Sequence, residues 1–327
     1  MTDRRSSDHF DGRRFHNPEP TAHGSATTLL RWALTRKPGP WSPHRDEPAG
    51  PPPPARVEEG MRVTMVGHAT LLVQTAGLNL LTDPIWSERC SPVSWAGPRR
   101  RRPPGIGFDD LPRIDAVLLS HDHYDHLDLP TLRRLWARDA PVVLTGLGNA
   151  ARLRPEGIET VTELDWWDHA ELGPLRIHGV PARHFSGRTP FDRDSTLWLG
   201  LWVEGPAGTL LFAGDTGLGA HFEEIRRRLG PPDVALLPIG AFRPRWFMQG
   251  IHLSPRDAIE AHRRLEAGVM VPIHHGVFPL ADDGQDEPLD ELREGLREAG
   301  EEAPRVQVLA PGQGHTFAPR RASKAAE

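Results

Sequence analysis

Ser120-His121-Asp122-His123-Tyr124-Asp125-His126 sets four imidazole and carboxylate donors between positions 121 and 126. The stretch follows the apolar run Ala116-Val117-Leu118-Leu119 and precedes a helical pattern at 130–138. In an extended segment, residues two apart point the same way. His121 and His123 can therefore converge on one ion. Asp125 and His126 lie where the chain turns into the helix, and can face a second ion. Imidazole nitrogen and carboxylate oxygen suit zinc or another first-row divalent cation. A histidine-rich surface loop is the bland alternative, and four donors at one strand end weigh against it.

Working outward, three further donors each stand just past an apolar strand. They are His184 in Pro181-Ala182-Arg183-His184, Asp215 in Ala213-Gly214-Asp215-Thr216-Gly217, and His274 in Pro272-Ile273-His274-His275-Gly276. Loops at strand ends commonly carry function. Taken singly, each is ordinary: a lone histidine caps a loop, and Gly-Asp-Thr-Gly forms a turn. Beside the first stretch they complete a donor set for two ions.

The rest of the 327 residues bounds the answer. Hydrophobic residues make up 38% and charged residues 25%, a balance that supplies a sizeable core. No run of ~18 apolar residues exists to cross a membrane. The N-terminal twenty residues carry no apolar stretch, so the expectation is no secretory signal and a cytoplasmic location. Cys90 is the only cysteine, which excludes an internal disulfide framework and a cysteine-based zinc cluster. A net charge of −5 gives no global basic field, so nucleic acid is not an expected partner. Lysine occurs only at 37 and 324, which makes each arginine of this chain less informative.

Residues 1–56 are polar and rich in Arg, Pro and Gly, with one short apolar run at 28–34. They read as a flexible arm that folding can dispense with. Residues 57–319 read as one domain, and 320–327 as a frayed tail. Strand propensity recurs at 62–66, 70–74, 78–81, 116–119, 142–144, 175–180, 197–203, 209–213, 234–239, 269–273 and 305–309. Helical patterns sit at 130–138, 220–229, 255–266 and 289–299. The third has Ser254 as N-cap and Pro255 at the first helical position. Strands first, then strands interleaved with helices, predict an α+β protein with two packed sheets and helices outside.

The HxHxDH pattern at His121–His126, with single donors at 184, 215 and 274, resembles the metallo-β-lactamase superfamily. Further stretches are similar to its branch of phospholipase D-like enzymes that hydrolyse N-acylphosphatidylethanolamines. These are Val66-Gly67-His68-Ala69-Thr70, Leu81-Thr82-Asp83-Pro84-Ile85-Trp86, Gly97-Pro98-Arg99-Arg100-Arg101-Arg102-Pro103-Pro104, and Phe242-Arg243-Pro244-Arg245-Trp246-Phe247-Met248. The likeness runs from about residue 60 to about 317. It implies a four-layer αββα sandwich with metals at one edge.

The resemblance also implies roles. His121, His123 and His184 would hold one zinc; Asp125, His126 and His274 would hold another; Asp215 would bridge the two. Iron or manganese are alternatives to zinc. His275 competes with His274, which is preferred because similar proteins place the ligand directly after the strand. Two ions ~3.5–4 Å apart can activate water and clamp phosphorus during in-line attack. Asp125 or Asp215 would orient the attacking water, and His252 would polarise the phosphate or assist the leaving group. Arg243 and Arg245 can pair with a phosphate, or form internal salt bridges. Trp246, Phe247 and Met248 can line an acyl groove or pack the core. His68 is expected outside the ligand set, and Tyr124 around it. The implied activity is a phosphodiesterase on a phospholipid or smaller diester, with a lactonase or carboxylester hydrolase as the alternative. Peripheral contact with the inner face of the membrane and a homodimer both fit that reading.

Overall fold

Apolar runs of the sequence become strands of two sheets in a computed structural model, which describes residues 7–19, 26–44 and 47–318. After α1 (Ala26–Thr35) come β1 (Met61–Gly67), β2 (Thr70–Thr75), β3 (Leu78–Thr82), β4 (Ala116–Leu119), α2 (Leu129–Asp139), β5 (Val142–Gly146), α3 (Ala150–Leu153) and β6 (Val161–Leu164). Then follow β7 (His169–Leu172), β8 (Leu175–Val180), β9 (Gly200–Gly205), β10 (Gly208–Phe212), α4 (His221–Leu229) and β11 (Val234–Pro238). The chain closes with α5 (Arg245–Met248), α6 (Pro255–Leu265), β12 (Val269–Ile273), α7 (Glu287–Ala299) and β13 (Gly314–Phe317).

One sheet has the order β13-β1-β2-β3-β4-β5-β6, and the other β12-β11-β10-β9-β8-β7. Strands β3 to β6 run parallel, as do β10 to β12. Parallel neighbours need crossovers. Helices α2 and α3 supply them on one sheet, α4 and α6 on the other. Strands covered on both faces read as unbroken apolar runs, as Ala116-Val117-Leu118-Leu119 does. Its Leu118 joins Val63, Leu71 and Val73 against Leu201, Leu210 and Phe212 of the facing sheet. Its Val117 and Leu119 pack outward on Leu132 and Leu135 of α2. On the far side, Leu211 and Leu237 pack on Ile225, Ala258 and Leu265. The αββα layering expected from the resemblance is what the chain forms.

Helix α6 begins as its punctuation predicts. Ser254 Oγ accepts from the N–H of Asp257, and Asp257 Oδ2 accepts from the N–H of Ser254, a reciprocal cap worth about 1 kcal/mol. The sequence missed β6, β7 and β13, which are four residues each and carry weak apolar signals. At 305–309 the expected strand reduces to one bridge between Met270 and Val306. Among the described residues no helix is long and apolar enough to cross a membrane.

The reading of residues 1–56 as a flexible arm is corrected. Phe15 is 2% exposed inside the inter-sheet core, and its N–H donates to Asp194 O at 2.8 Å. The His9 ring stacks on Trp166 with centroids 4.3 Å apart. Nearer the domain, Gln74 donates to Pro54 O and Asn79 to Ala55 O, while Arg56 pairs with Asp115, so no boundary falls at 57. A polar segment attaches here through a few deep anchors, which mean composition does not register. The tail at 320–327 lies outside the described residues.

Candidate metal centre

The fold brings strand ends to one edge of the two sheets. His68 occupies the turn between β1 and β2, and Asp83 follows β3. Residues 121–126 follow β4, His184 follows β8, Asp215 follows β10, and His274 follows β12. In open sheets with parallel strands, ligands bind outside the carboxyl ends. The local backbone is made for this. His68, Asp83 and His274 have φ of 59°, 29° and 60°, a left-handed conformation uncommon for residues other than glycine. Gly214 is required before Asp215, because a Cβ there would lie 2.6 Å from Ser120 Cβ.

His121, His123 and His184 form one corner. His123 Nδ1 lies 2.8 Å from His121 Nε2 and 3.2 Å from His184 Nε2. A metal–nitrogen length of about 2.0–2.1 Å sets tetrahedral donors ~3.3 Å apart, close to this spacing. The far nitrogens are tied down. His184 Nδ1 donates to Ile251 O at 2.9 Å, and His121 Nδ1 lies 2.9 Å from Ser120 Oγ. Such outer partners set which ring nitrogen faces a metal.

The second corner mixes oxygen and nitrogen. Asp125 Oδ2 lies 3.2 Å from both His126 Nε2 and His274 Nε2. Asp215 Oδ2 lies 3.2 Å from the same two nitrogens and 3.8 Å from His184 Nε2, so it reaches both corners. Among the described residues, buried Asp215 Oδ1 has no hydrogen-bond partner. His68 Nε2 adds a bond to Asp125 Oδ2 at 3.0 Å.

Electrostatics separate the corners. Burial, then the neighbouring His126, His123 and His184, pulls His121 far below its ordinary value. Burial pulls His123 and His184 down as well. Burial also lowers His274, but Asp215 and Asp125 outweigh it and hold that ring at about 9. His126 is raised against burial by Asp125, Asp215 and Asp83. Both carboxylates resist burial and stay far below the usual range, Asp125 through His126 and Asp215 through His274. Three imidazole nitrogens converging at one corner, and two buried carboxylates at the next, fit cations. A metal binds once ligand protons leave.

Asp83 is a residue whose role sequence reasoning missed. Its Oδ2 lies 2.6 Å from His126 Nδ1 and accepts from Ser120 Oγ at 2.6 Å, while Oδ1 accepts from the N–H of Ser120 at 2.7 Å. One carboxylate thus orients His126 directly and His121 through Ser120. The signal was present in Thr82-Asp83-Pro84 at a strand end, but only the fold shows which residues it serves.

A cavity of about 210 Å³ opens onto His123, Asp125, Asp215 and His252. Its walls are apolar: Leu29 and Trp32 of α1, with Phe185, Phe247, Met248 and Leu280. His252 Nδ1 is 3.8 Å from Asp215 Oδ2, at the edge of the cluster. His275 is turned elsewhere, into a second cavity beside Arg102.

Of the two expectations for the arginines, the structure shows the internal salt bridges. Arg243 pairs with Glu287 and Glu291 on the surface. Arg245 pairs with Asp257 at 2.6 Å and donates to the carbonyl of His252 at 3.1 Å. Trp246 is 40% exposed under the guanidinium of Arg31. Carboxylates captured both arginines because α6 and α7 present acids beside them. Phe247 and Met248, by contrast, do reach the cavity. In the 99–102 run, Arg100 is buried against Phe278, and Arg102 pairs with Glu47 and Asp286.

Residues 78–275 match the family described as the beta-lactamase superfamily domain. An uncharacterized protein of Mycobacterium tuberculosis is 42% identical over 258 residues, covering 77% of this chain and 68% of its own. The N-acyl-phosphatidylethanolamine-hydrolyzing phospholipase D 1 of Caenorhabditis elegans is 39% identical over 249 residues, covering 72% and 70%. A metallo hydrolase from Ignicoccus hospitalis shares the fold, with a TM-score of 0.61, 24% identity, and coverage of 79% and 98%.

Proposed function

Since this chain belongs to the β-lactamase superfamily and its metal-dependent hydrolases, we propose that it is a zinc-dependent phosphodiesterase of phospholipase D type. Its substrate in this reading is an N-acylphosphatidylethanolamine or a related lipid diester. The observation that carries the reading is the apolar wall at the metal centre. Leu29, Trp32, Phe247, Met248 and Leu280 stand beside the donors where an acyl chain would lie. The named activity of the worm relative points the same way.

His121, His123 and His184 would hold one ion, Asp125, His126 and His274 the other, and Asp215 both. When bound, such a pair supplies Lewis acidity and lowers the pKa of a water. The chain's own residues do the rest. Asp125, tied by His68, orients the attacking water. The water oxygen gives up a proton and forms a bond to phosphorus, the ester P–O bond breaks, and the departing oxygen takes up a proton to leave as the alcohol. His252, at the cavity wall, hydrogen-bonds a phosphoryl oxygen as its charge grows. Phe185, Trp32 and Phe247 exclude bulk water. The exposed Leu29, Leu30 and Leu34 of α1, 44%, 60% and 77% accessible, support peripheral contact with a bilayer at this mouth.

The test is turnover by the zinc-loaded chain on N-acylphosphatidylethanolamine vesicles, on bis(p-nitrophenyl) phosphate and on a lactone panel. Release of phosphatidic acid and the N-acylethanolamine is the expected result. Turnover of lactones alone would replace this reading with the carboxylester one.

A further inference from the structure

His184 owes its place to a partner far away in sequence. It lies in the turn after β8, outside any strand, so its backbone N–H and C=O need partners of their own. One side chain from the N-terminal segment meets both. Asn17 Nδ2 donates to His184 O at 2.8 Å, and Asn17 Oδ1 accepts from His184 N at 3.2 Å. Among the described residues nothing else bonds those two groups. Asn17 Oδ1 also accepts from Trp198 Nε1 at 3.2 Å, and that indole also donates to Ala182 O at 3.0 Å.

Asn17 is itself held from upstream. Phe15, two residues before it, is sunk in the inter-sheet core. Farther back, His9 Nε2 lies 2.7 Å from Asp165 Oδ1 while its ring lies on Trp166. The segment is therefore strapped to the domain on the way to His184. Once Asn17 holds the backbone and Ile251 O takes Nδ1, the remaining nitrogen of His184 points to His121 and His123.

We propose that Asn17 is a positioning residue for the first metal corner, acting through the backbone of His184. It lies outside the matched stretch at 78–275 and touches none of the donor atoms. The proposal rests on the metal-centre reading above. Mutating outer partners of a metal site typically costs about 10–100-fold in affinity. N17D is nearly isosteric: it keeps the acceptor and sets an oxygen against the His184 carbonyl. N17A removes both bonds.

Zinc titration of the metal-free full chain against a chromophoric chelator reads the effect directly. In N17D, one of two zinc equivalents should weaken by about 10–100-fold while the other keeps its wild-type affinity. In N17A, hydrogen–deuterium exchange across residues 181–186 should accelerate without change in β10. Two equivalents of wild-type affinity in N17D overturn the proposal. Equal weakening of both, or a collapsed melting temperature of metal-free N17D, overturns it in favour of a general folding role. A wild-type chain that takes up fewer than two equivalents overturns the dinuclear reading itself, and Asn17 falls with it.

Discussion

The two sides of the metal centre are built in opposite ways. His121, His123, Asp125 and His126 come from six consecutive residues just past β4, where a turn closed by bonds to His123 O leads towards α2. The facing side draws His184, Asp215, His252 and His274 from four separate loops, and leans on a segment 167 residues away through Asn17. A local motif carries its geometry in the backbone. A dispersed set needs the whole sandwich, and the strap at 7–19, to bring its atoms together. The motif side should therefore survive damage elsewhere, and the dispersed side should be the one that remote changes disturb.

The largest effect is expected at Asp215, whose Oδ2 reaches both metal corners. Asp215→Ala should leave fewer than about one equivalent of metal and abolish phosphodiester turnover. Metal analysis by mass spectrometry checks it, and near-full loading would show that the two corners load without a shared carboxylate. Next is the strap. Phe15→Ala should destabilise the chain by about 3–5 kcal/mol, measured by urea denaturation. A chain lacking residues 1–56 should lose more, contrary to the expectation from composition. An unchanged midpoint would mean that the strap only rests on the core.

His252 sharpens the comparison within the dispersed side. His252→Ala should retain both metals and lose about 10²–10³-fold in kcat on a lipid diester. Loss of one equivalent would make it a ligand. Arg243→Ala should leave kcat/KM within about twofold, because exposed pairs with Glu287 and Glu291 contribute little.

The smallest effect is one of pH. Burial lowers His9, but Asp165 and Asp8 outweigh it and raise its pKa above the ordinary 6.5. A raised folded value stabilises the protonated state, so this contribution is complete below the unfolded pKa and fades as pH climbs through the folded one. The Tm advantage of the wild type over His9→Gln should shrink as pH climbs from the ordinary histidine value through the raised folded one. A constant difference would mean that stacking on Trp166, rather than charge, anchors this end.

Short-period signals were legible in the sequence wherever the apolar run was strong, and failed at the four-residue strands β6, β7 and β13. Continuous apolar runs told which strands are covered on both faces. The i, i+2 spacing of His121 and His123 told which side chains meet. Ser254-Pro255 told where α6 starts, and the positions just past strands told where His184, Asp215 and His274 would gather. What only the tertiary structure decided had no periodic signal. Arg243 and Arg245 carry charges that pair with the acids α7 and α6 pack beside them, Glu287 and Asp257. Phe15 and Asn17 lie in a polar segment whose average hides two anchors. Asp83 could be seen to serve both corners only once β3 lay beside β4. Backbone pattern is written locally because hydrogen-bond geometry and burial repeat every two or three and a half residues. The partner of a single charge or amide depends on which distant atoms the packed sheets bring within about 3 Å.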